Sequence, residues 1–381
     1  MNIRRSYPGI ADLEKGAKRC LPRFVWDYLV GGVGSENCIE RNRRSLDGIL
    51  LRPQYICDAD IPNLKTNLLG RTYDLPFGVA PVGLSGLIRP HAAEILAQAA
   101  CSANIPFCLS AFANSSLETI ADIAPKHAWF QHYVTNQRDI ENDILDRARA
   151  AGYDTLVVTV DVPTAGKRER DIRNGLSDPV VLRPTTFLQC LLKPRWAIAM
   201  AKAGAPVFAN LARYAPPEAS PAELEKFFGS LVEGHVTSER LAELRQAWNG
   251  KLVVKGVLDT ADADLCRQIG ADALFLSNHG GRQLDAAPTA ADVIGKIRDV
   301  AGDGMAIIAD GGVRSGLDVA RLLAAGAQFV LLGRAFMFGV AALDRSGGHY
   351  VIDILRQELR STLKQIGCRD VADLTGFYQS Q

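Results

Sequence analysis

The sequence predicts a single α/β domain over residues 1–381, folded as a (β/α)8 TIM barrel, and three observations lead there. Short apolar runs alternate with helix-period stretches through most of the chain. Each parallel strand needs a crossover connection, and closing the sheet into a ring leaves no exposed edge. The apolar runs end in polar residues or glycine, which is where a barrel places its reactive loops. A doubly wound open sheet is the runner-up, disfavoured because no G-x-G-x-x-G loop follows the first strand.

The same pattern sets the boundaries: an N-terminal helical segment over 1–75, the barrel over 76–381, and an insertion of about 171–250 between strands four and five. Ile10 to Cys20 and Pro22 to Val30 read as helices, the second stopping at Gly31-Gly32, whereas Asn42 to Leu75 carries few periodic signals. Strands are expected at Phe77 to Val82, Pro106 to Ser110, Ala128 to Tyr133, Thr155 to Asp161, Leu252 to Gly256, Ala273 to Ser277, Met305 to Asp310 and Phe329 to Gly333. Helices are expected at His91 to Ala103, Arg138 to Ala151, Ala261 to Ile269, Ala290 to Val300 and Leu317 to Ala325. Tyr350 to Ile366, ending at Gly367, reads as the eighth helix.

Composition narrows the function. At 48% hydrophobic and 22% charged, the chain can bury a large core. Lys and Arg number 43 against 42 Asp and Glu, so no global field recruits nucleic acid. The eight cysteines form no C-x-x-C pair, which is neither a zinc pattern nor a disulfide frame; no metal is expected, and a reducing cytoplasm is. Met1 to Pro8 lacks the apolar stretch of a secretory signal, and no uncharged run has the length and apolarity of a membrane span.

The centre of the chain is Ser277-Asn278-His279-Gly280-Gly281-Arg282-Gln283-Leu284-Asp285, which follows the apolar run Ala273 to Leu276. His279 is the residue type that exchanges a proton near neutrality, Gly280-Gly281 permits close backbone approach to a flat ligand, and Arg282 offers a planar fork to a carboxylate. Other strand ends carry Gly83, Ser110, Gln131, Tyr133, Thr159, Asp161 and Lys255. Lys255 ends an apolar strand, so it either meets a buried anion or reaches solvent beyond the strand. Asp310-Gly311-Gly312-Val313-Arg314 and Gly333-Arg334 fit the phosphate site that barrels build from their last two loops, a corner that sugar-phosphate barrels also use.

The nonapeptide resembles the active-site signature of the FMN-dependent 2-hydroxy acid dehydrogenases and oxidases, and the likeness runs from Tyr28 to Cys368 with motifs in family order. The resemblance implies FMN as cofactor and oxidation of an L-2-hydroxy acid, lactate- or mandelate-like, to its 2-oxo acid. It implies that Ser110, Gln131, Thr159, Lys255 and Ser277 contact the flavin ring, with backbone from Pro81, Val82 and Gly83. Asp310 is then the ribityl ligand. It makes His279 the base, Asp161 its orienting partner, Arg282 and Arg168 the carboxylate clamp, Tyr28 a further carboxylate ligand and Tyr133 the partner of the substrate hydroxyl. Read from its own segment, Gly166 to Asp171, Arg168 is equally a solvated charge, and Tyr28 equally a packing aromatic. Gly83 stands where oxidase members carry alanine, which points to a quinone or another carrier as electron acceptor; an oxygen-using oxidase is the alternative. Phe112 occupies a pocket position that is tryptophan in glycolate oxidase, and His132 replaces a common leucine. A homotetramer is the expected assembly by the same resemblance.

Within the insertion, Pro179 to Pro217 has no acidic residue but has Arg183, Lys193, Arg195, Lys202 and Arg213 interleaved with Phe187, Leu188, Leu191, Leu192, Trp196, Ile198, Met200, Val207 and Phe208. That mixture suits a bilayer interface rich in anionic lipid, or an amphipathic lid or subunit interface. Leu191 to Trp196 resembles the corresponding segment of membrane-associated mandelate and lactate dehydrogenases, which implies a peripheral position on the inner face of the cell membrane.

Overall fold

A computed structural model describes residues 3–57, 61–176, 183–219, 221–232 and 234–379. Eight parallel strands close into a barrel in chain order: β1 Phe77–Val79, β2 Phe107–Ser110, β3 Ala128–Tyr133, β4 Thr155–Thr159, β5 Lys251–Lys255, β6 Ala273–Leu276, β7 Ala306–Ala309 and β8 Phe329–Leu332. β8 returns to β1 with Leu331 opposite Gly78, so the expected barrel is the one found. β1 and β4 stop short of the expected Val82 and Asp161. Each makes one further backbone bond, Ala80 N to Leu332 O at 3.0 Å and Val160 N to Lys255 O at 2.9 Å, and then leaves the ladder.

Side chains alternate across the strands with a period of two. Trp129, Val157, Val253, Phe275 and Phe329 fill the barrel interior, while Phe130, Val158, Val254 and Leu274 pack outward beneath the helices. Burial on both faces is why these strands read as unbroken apolar runs. The helix starts carry legible caps. Thr289 and Asp292 form a reciprocal capping box, and Asp259 and Ser315 accept backbone N–H groups at two other helix starts.

Three elements differ from expectation. The stretch after Asn42 is not featureless: Asn37–Asp47 is a helix, and Thr66–Leu68 pairs with Arg71–Tyr73 as a hairpin that plugs the barrel floor, Tyr73 lying 5.6 Å from the Phe329 ring. Leu117–Ile123 is a further helix. The helix directly after β8 is Arg334–Leu343, and Gly347–Ile366 follows it.

Between β4 and β5 lie the helices Pro184–Leu191, Pro194–Ala203, Pro221–Leu231 and Ser238–Ala247. Residues 179–182 of the basic, apolar stretch fall outside the described residues. Trp196 and Phe208 turn inward rather than onto that surface: Trp196 is buried, donating to Leu87 O at 3.0 Å, and Phe208 packs edge-on against Phe112 at 5.1 Å.

The Asn37–Asp47 helix clamps the loop after β6. Cys38 N donates to Asp285 Oδ1 at 2.8 Å, Arg41 donates to the carbonyls of Asp285 and Ala287, and Asn42 and Asn278 exchange reciprocal amide bonds at 3.0 and 2.9 Å. Gly281 is required here, since a Cβ would sit 2.9 Å from Ile39 Cγ1 at a left-handed φ of 76°. Asn42→Ala strands the buried Asn278 carbonyl oxygen. It should lower the unfolding free energy by about 1–3 kcal/mol, read from the urea midpoint; an unchanged midpoint would refute the clamp.

Candidate active site

Strand register assembles the site at the C-terminal rim. Ser110 stands opposite Gln131, and Thr159 lies between Tyr133 on one side and Lys255 on the other. Gln131 Nε2 donates to Thr159 Oγ1 at 3.0 Å, fixing two neighbouring strand ends. Asp161 lies just past β4 and His279 just past β6, so short loops carry both into the same space.

His279 has a φ of 58°, a left-handed conformation that is strained for a non-glycine residue and is held by a bond from its N–H to Ser277 Oγ at 3.0 Å. Its Nδ1 lies 3.0 and 3.1 Å from the two Asp161 carboxylate oxygens. Lys255 Nζ is 3.6 Å from Asp161 Oδ2 and 3.3 Å from His279 Nδ1. Burial opposes ionisation of Asp161, but Lys255 and His279 outweigh it and hold the carboxyl down to about 2. Burial and the Lys255 ammonium lower His279 below its ordinary value against the pull of Asp161. An ionised Asp161 can only accept, so Nδ1 carries the imidazole proton and Nε2 is left as a free acceptor.

A second group sits beside it. Arg282 and Arg168 lie 5.0 and 5.9 Å from the Tyr28 ring, and Arg168 Nε donates to Asp171 Oδ2 at 2.6 Å. Arg282 donates to the Tyr28 and Gly31 carbonyls, both at 2.9 Å. Burial and the neighbouring Arg168 cation lower its pKa. Burial and the Asp161 charge push the Tyr133 phenol upward, so it keeps its proton. Tyr28 OH donates to Gly83 O at 3.2 Å, and Phe112 stands edge-on to Tyr133 at 5.3 Å.

The third group is basic. Arg334 donates to Leu29 O, Gly280 O and Gly31 O, and Arg314 to Val313 O. Among the described residues neither is paired with a carboxylate. Burial first, then neighbouring cations, bring Arg334 down to about 9; burial and Arg43 bring Arg314 down to about 10. Asp310 Oδ1 is buried without a partner among the described residues, and burial raises its carboxyl to about 6. Gly311 and Gly312 have φ of 99° and 79°, and a Cβ on either would meet Asn42. Val82 approaches Gly333, bringing the loop after β1 to the end of β8. Guanidiniums held by neutral carbonyls rather than carboxylates, beside glycine-rich backbone and an orphaned carboxyl oxygen, suit a phosphate monoester joined to a hydroxylated chain.

Ser110, Gln131, Tyr133, Thr159, Asp161, Lys255, Ser277, His279, Asp310 and Arg334 thus lie at strand ends on one rim, with Tyr28, Arg168 and Arg282 beside them. Gly280 and Gly281 also answer to protein contacts, since Cβ atoms there would meet Arg334 Nη1 at 3.1 Å and Ile39. Sequence reasoning missed Asn42, which packs on both Gly311 and Gly312, and Arg43, which bonds Gly312 O at 2.6 Å and Asp318 at 2.7 Å.

A sequence model of the family described as FMN-dependent dehydrogenase matches residues 17–379. The chain belongs to the FMN-dependent dehydrogenase family. An L-lactate dehydrogenase of Caulobacter vibrioides is 40% identical to this FMN-dependent dehydrogenase over 95% of each chain. One of Pseudomonas syringae pv. syringae is 36% identical over 96% of each. Among solved structures, the monotopic membrane protein (S)-mandelate dehydrogenase superposes with a TM-score of 0.93 at 35% identity, covering 98% of this chain and 99% of that one. The cofactor of the family is FMN, and the basic corner fits its phosphate. Arg314→Met should weaken FMN binding by about 10–100-fold, the value of one or two charge-assisted hydrogen bonds, and leave riboflavin binding unchanged. Equal loss for both flavins, in fluorescence titrations of the apoprotein, would move the phosphate elsewhere.

Proposed function

We propose that this enzyme oxidises an L-2-hydroxy acid of the lactate or mandelate kind to the 2-oxo acid and passes the electrons to a quinone or another carrier. The observation that carries the reading is a neutral, oriented imidazole sharing a rim with the Arg168 and Arg282 guanidiniums. Its relatives named L-lactate and mandelate dehydrogenases support the substrate class. Ser110, Gln131, Thr159, Ser277 and Lys255, with the backbone of Pro81, Val82 and Gly83, would line the flavin ring. Asp310 would hold the ribityl chain, and Gly311, Gly312, Arg314, Gly333 and Arg334 the phosphate.

Bound FMN supplies the acceptor for the two electrons that leave the carbinol carbon. Arg168 and Arg282 hold the substrate carboxylate, with the Tyr28 hydroxyl beside them. Tyr133, kept protonated by burial, donates to the substrate hydroxyl oxygen. His279 Nε2 takes one of the two carbinol hydrogens as a proton, the other leaving with the electron pair, and Asp161 stabilises the imidazolium that forms.

His279→Gln should retain FMN and lose reduction by substrate by at least about 100-fold; stopped-flow reduction near the wild-type rate would remove the base. The base acts when neutral, and its pKa is lowered, so the acid limb of kcat/KM should fall only below about pH 6.5. An acid limb above pH 7 would contradict this.

The same reading gives the insertion a peripheral contact with the cytoplasmic face of a membrane. Phe187, Leu188, Leu191 and Ile198 on two successive helices, and Leu192 in the turn between them, are exposed beside Arg195 and Lys202, Leu191 by 75%. No helix among the described residues is long and apolar enough to cross a membrane. Cosedimentation with vesicles containing anionic lipid tests the contact, and an enzyme that stays in the supernatant overturns it. Sizing of the same preparation tests the proposed tetramer.

A further inference from the structure

His132 sits between Gln131 and Tyr133 on β3, with its side chain on the opposite face. On that outward rung it stands opposite Val158, and the rung continues through Val254 and Leu274, all apolar and buried. A histidine only 2% exposed is the polar exception there. Its Nε2 lies 3.0 Å from Glu141 Oε1, which also accepts from Thr135 N at 3.3 Å, while Glu141 Oε2 pairs with Arg240. Glu141 is buried yet ionised, because the His132 and Arg240 bonds outweigh desolvation. A carboxylate of that kind only accepts, so His132 carries a proton on Nε2, and its buried Nδ1 has no partner among the described residues.

Arg240 belongs to the helix Ser238–Ala247, at the end of the insertion. The chain after Tyr133 is tied to the same region: Thr135 bridges Val232, and Asn136 donates to Ser230 O at 3.2 Å. The Tyr133 ring is held from the other side through Phe112, which packs on Phe208 of the insertion. We propose that His132 is a positioning residue for the reaction, locking the end of β3, and with it the Tyr133 hydroxyl, to the insertion through Glu141 and Arg240. The inference rests on the role given above to Tyr133.

The test uses holoenzyme carrying His132→Gln, His132→Asn, Tyr133→Phe, and the His132→Asn, Tyr133→Phe pair. A glutamine amide nitrogen reaches the Nε2 position and an asparagine reaches only that of Nδ1. His132→Asn should lower the limiting rate of flavin reduction about tenfold, as a small displacement of a reacting contact does, with little change in substrate affinity. His132→Gln should restore it to within about twofold. The Thr135 amide should exchange faster in His132→Asn and stay protected in His132→Gln. In the Tyr133→Phe background His132→Asn should cause no further loss. Equal rates for His132→Asn and His132→Gln, or the same loss with and without the Tyr133 hydroxyl, overturn the inference alone. Wild-type reduction by Tyr133→Phe overturns the role of Tyr133 and the inference with it.

Discussion

The chemistry at the rim depends on keeping the Asp161 carboxylate ionised in a desolvated place. A buried carboxyl left alone takes up a proton. Asp310, on the same rim, shows that tendency, its pKa raised to about 6. Asp161 escapes it because Lys255 and His279 both lie within hydrogen-bond or ion-pair reach. Its charge fixes the histidine tautomer, while Lys255 offsets the same charge as felt by the ring, so the imidazole is oriented without being driven to imidazolium. Those two effects together leave a usable base at neutral pH.

The cations are positioned by a different device. Arg282 and Arg334 are held chiefly by carbonyl oxygens of Tyr28, Leu29 and Gly31, the C-terminal end of the helix Arg23–Val30. Those carbonyls have no partners inside their own helix, and the helix dipole puts partial negative charge there. Neutral acceptors orient a guanidinium without cancelling it. The N-terminal segment therefore acts as the scaffold that aims two cations into the rim, and the Asn37–Asp47 helix extends the role to the loops after β6 and β7.

The barrel was legible in the sequence because strands buried on both faces become apolar runs, and its rim because those runs end abruptly in polar groups. Asp161, His279 and Lys255 could be singled out as strand-end residues. The Asn37–Asp47 helix escaped because its buried face is Cys38, Asn42 and Leu46, too polar to give a hydrophobic period. Asn42 contacts Asn278 across the fold, and no local pattern reports such a pair. The Arg334–Leu343 helix escaped for the opposite reason, since it is apolar almost all round and follows a strand without a break. Composition and the likeness of Leu191 to Trp196 to a family segment group Trp196 and Phe208 with their exposed neighbours; which face of a short helix is covered depends on partners distant in sequence, here Leu87, Phe24 and Phe112.

The charge balance suits the rim to two anionic groups. Lys255, Arg168, Arg282, Arg314 and Arg334 face Asp161, Asp171 and Asp310, so the rim is locally cationic although the whole chain carries only +1. Desolvation and mutual repulsion already depress Arg282, Arg314 and Arg334, so each holds unfavourable electrostatic energy before an anion arrives. A phosphate at one end and a carboxylate at the other relieve it locally, in a medium where screening is weak. The guanidiniums fall into two sets. Arg314 and Arg334 border the glycine-rich loops after β7 and β8, whereas Arg168 and Arg282 border Tyr28 and His279, and on the proposed reading it is this division that would direct the substrate carboxylate toward the base.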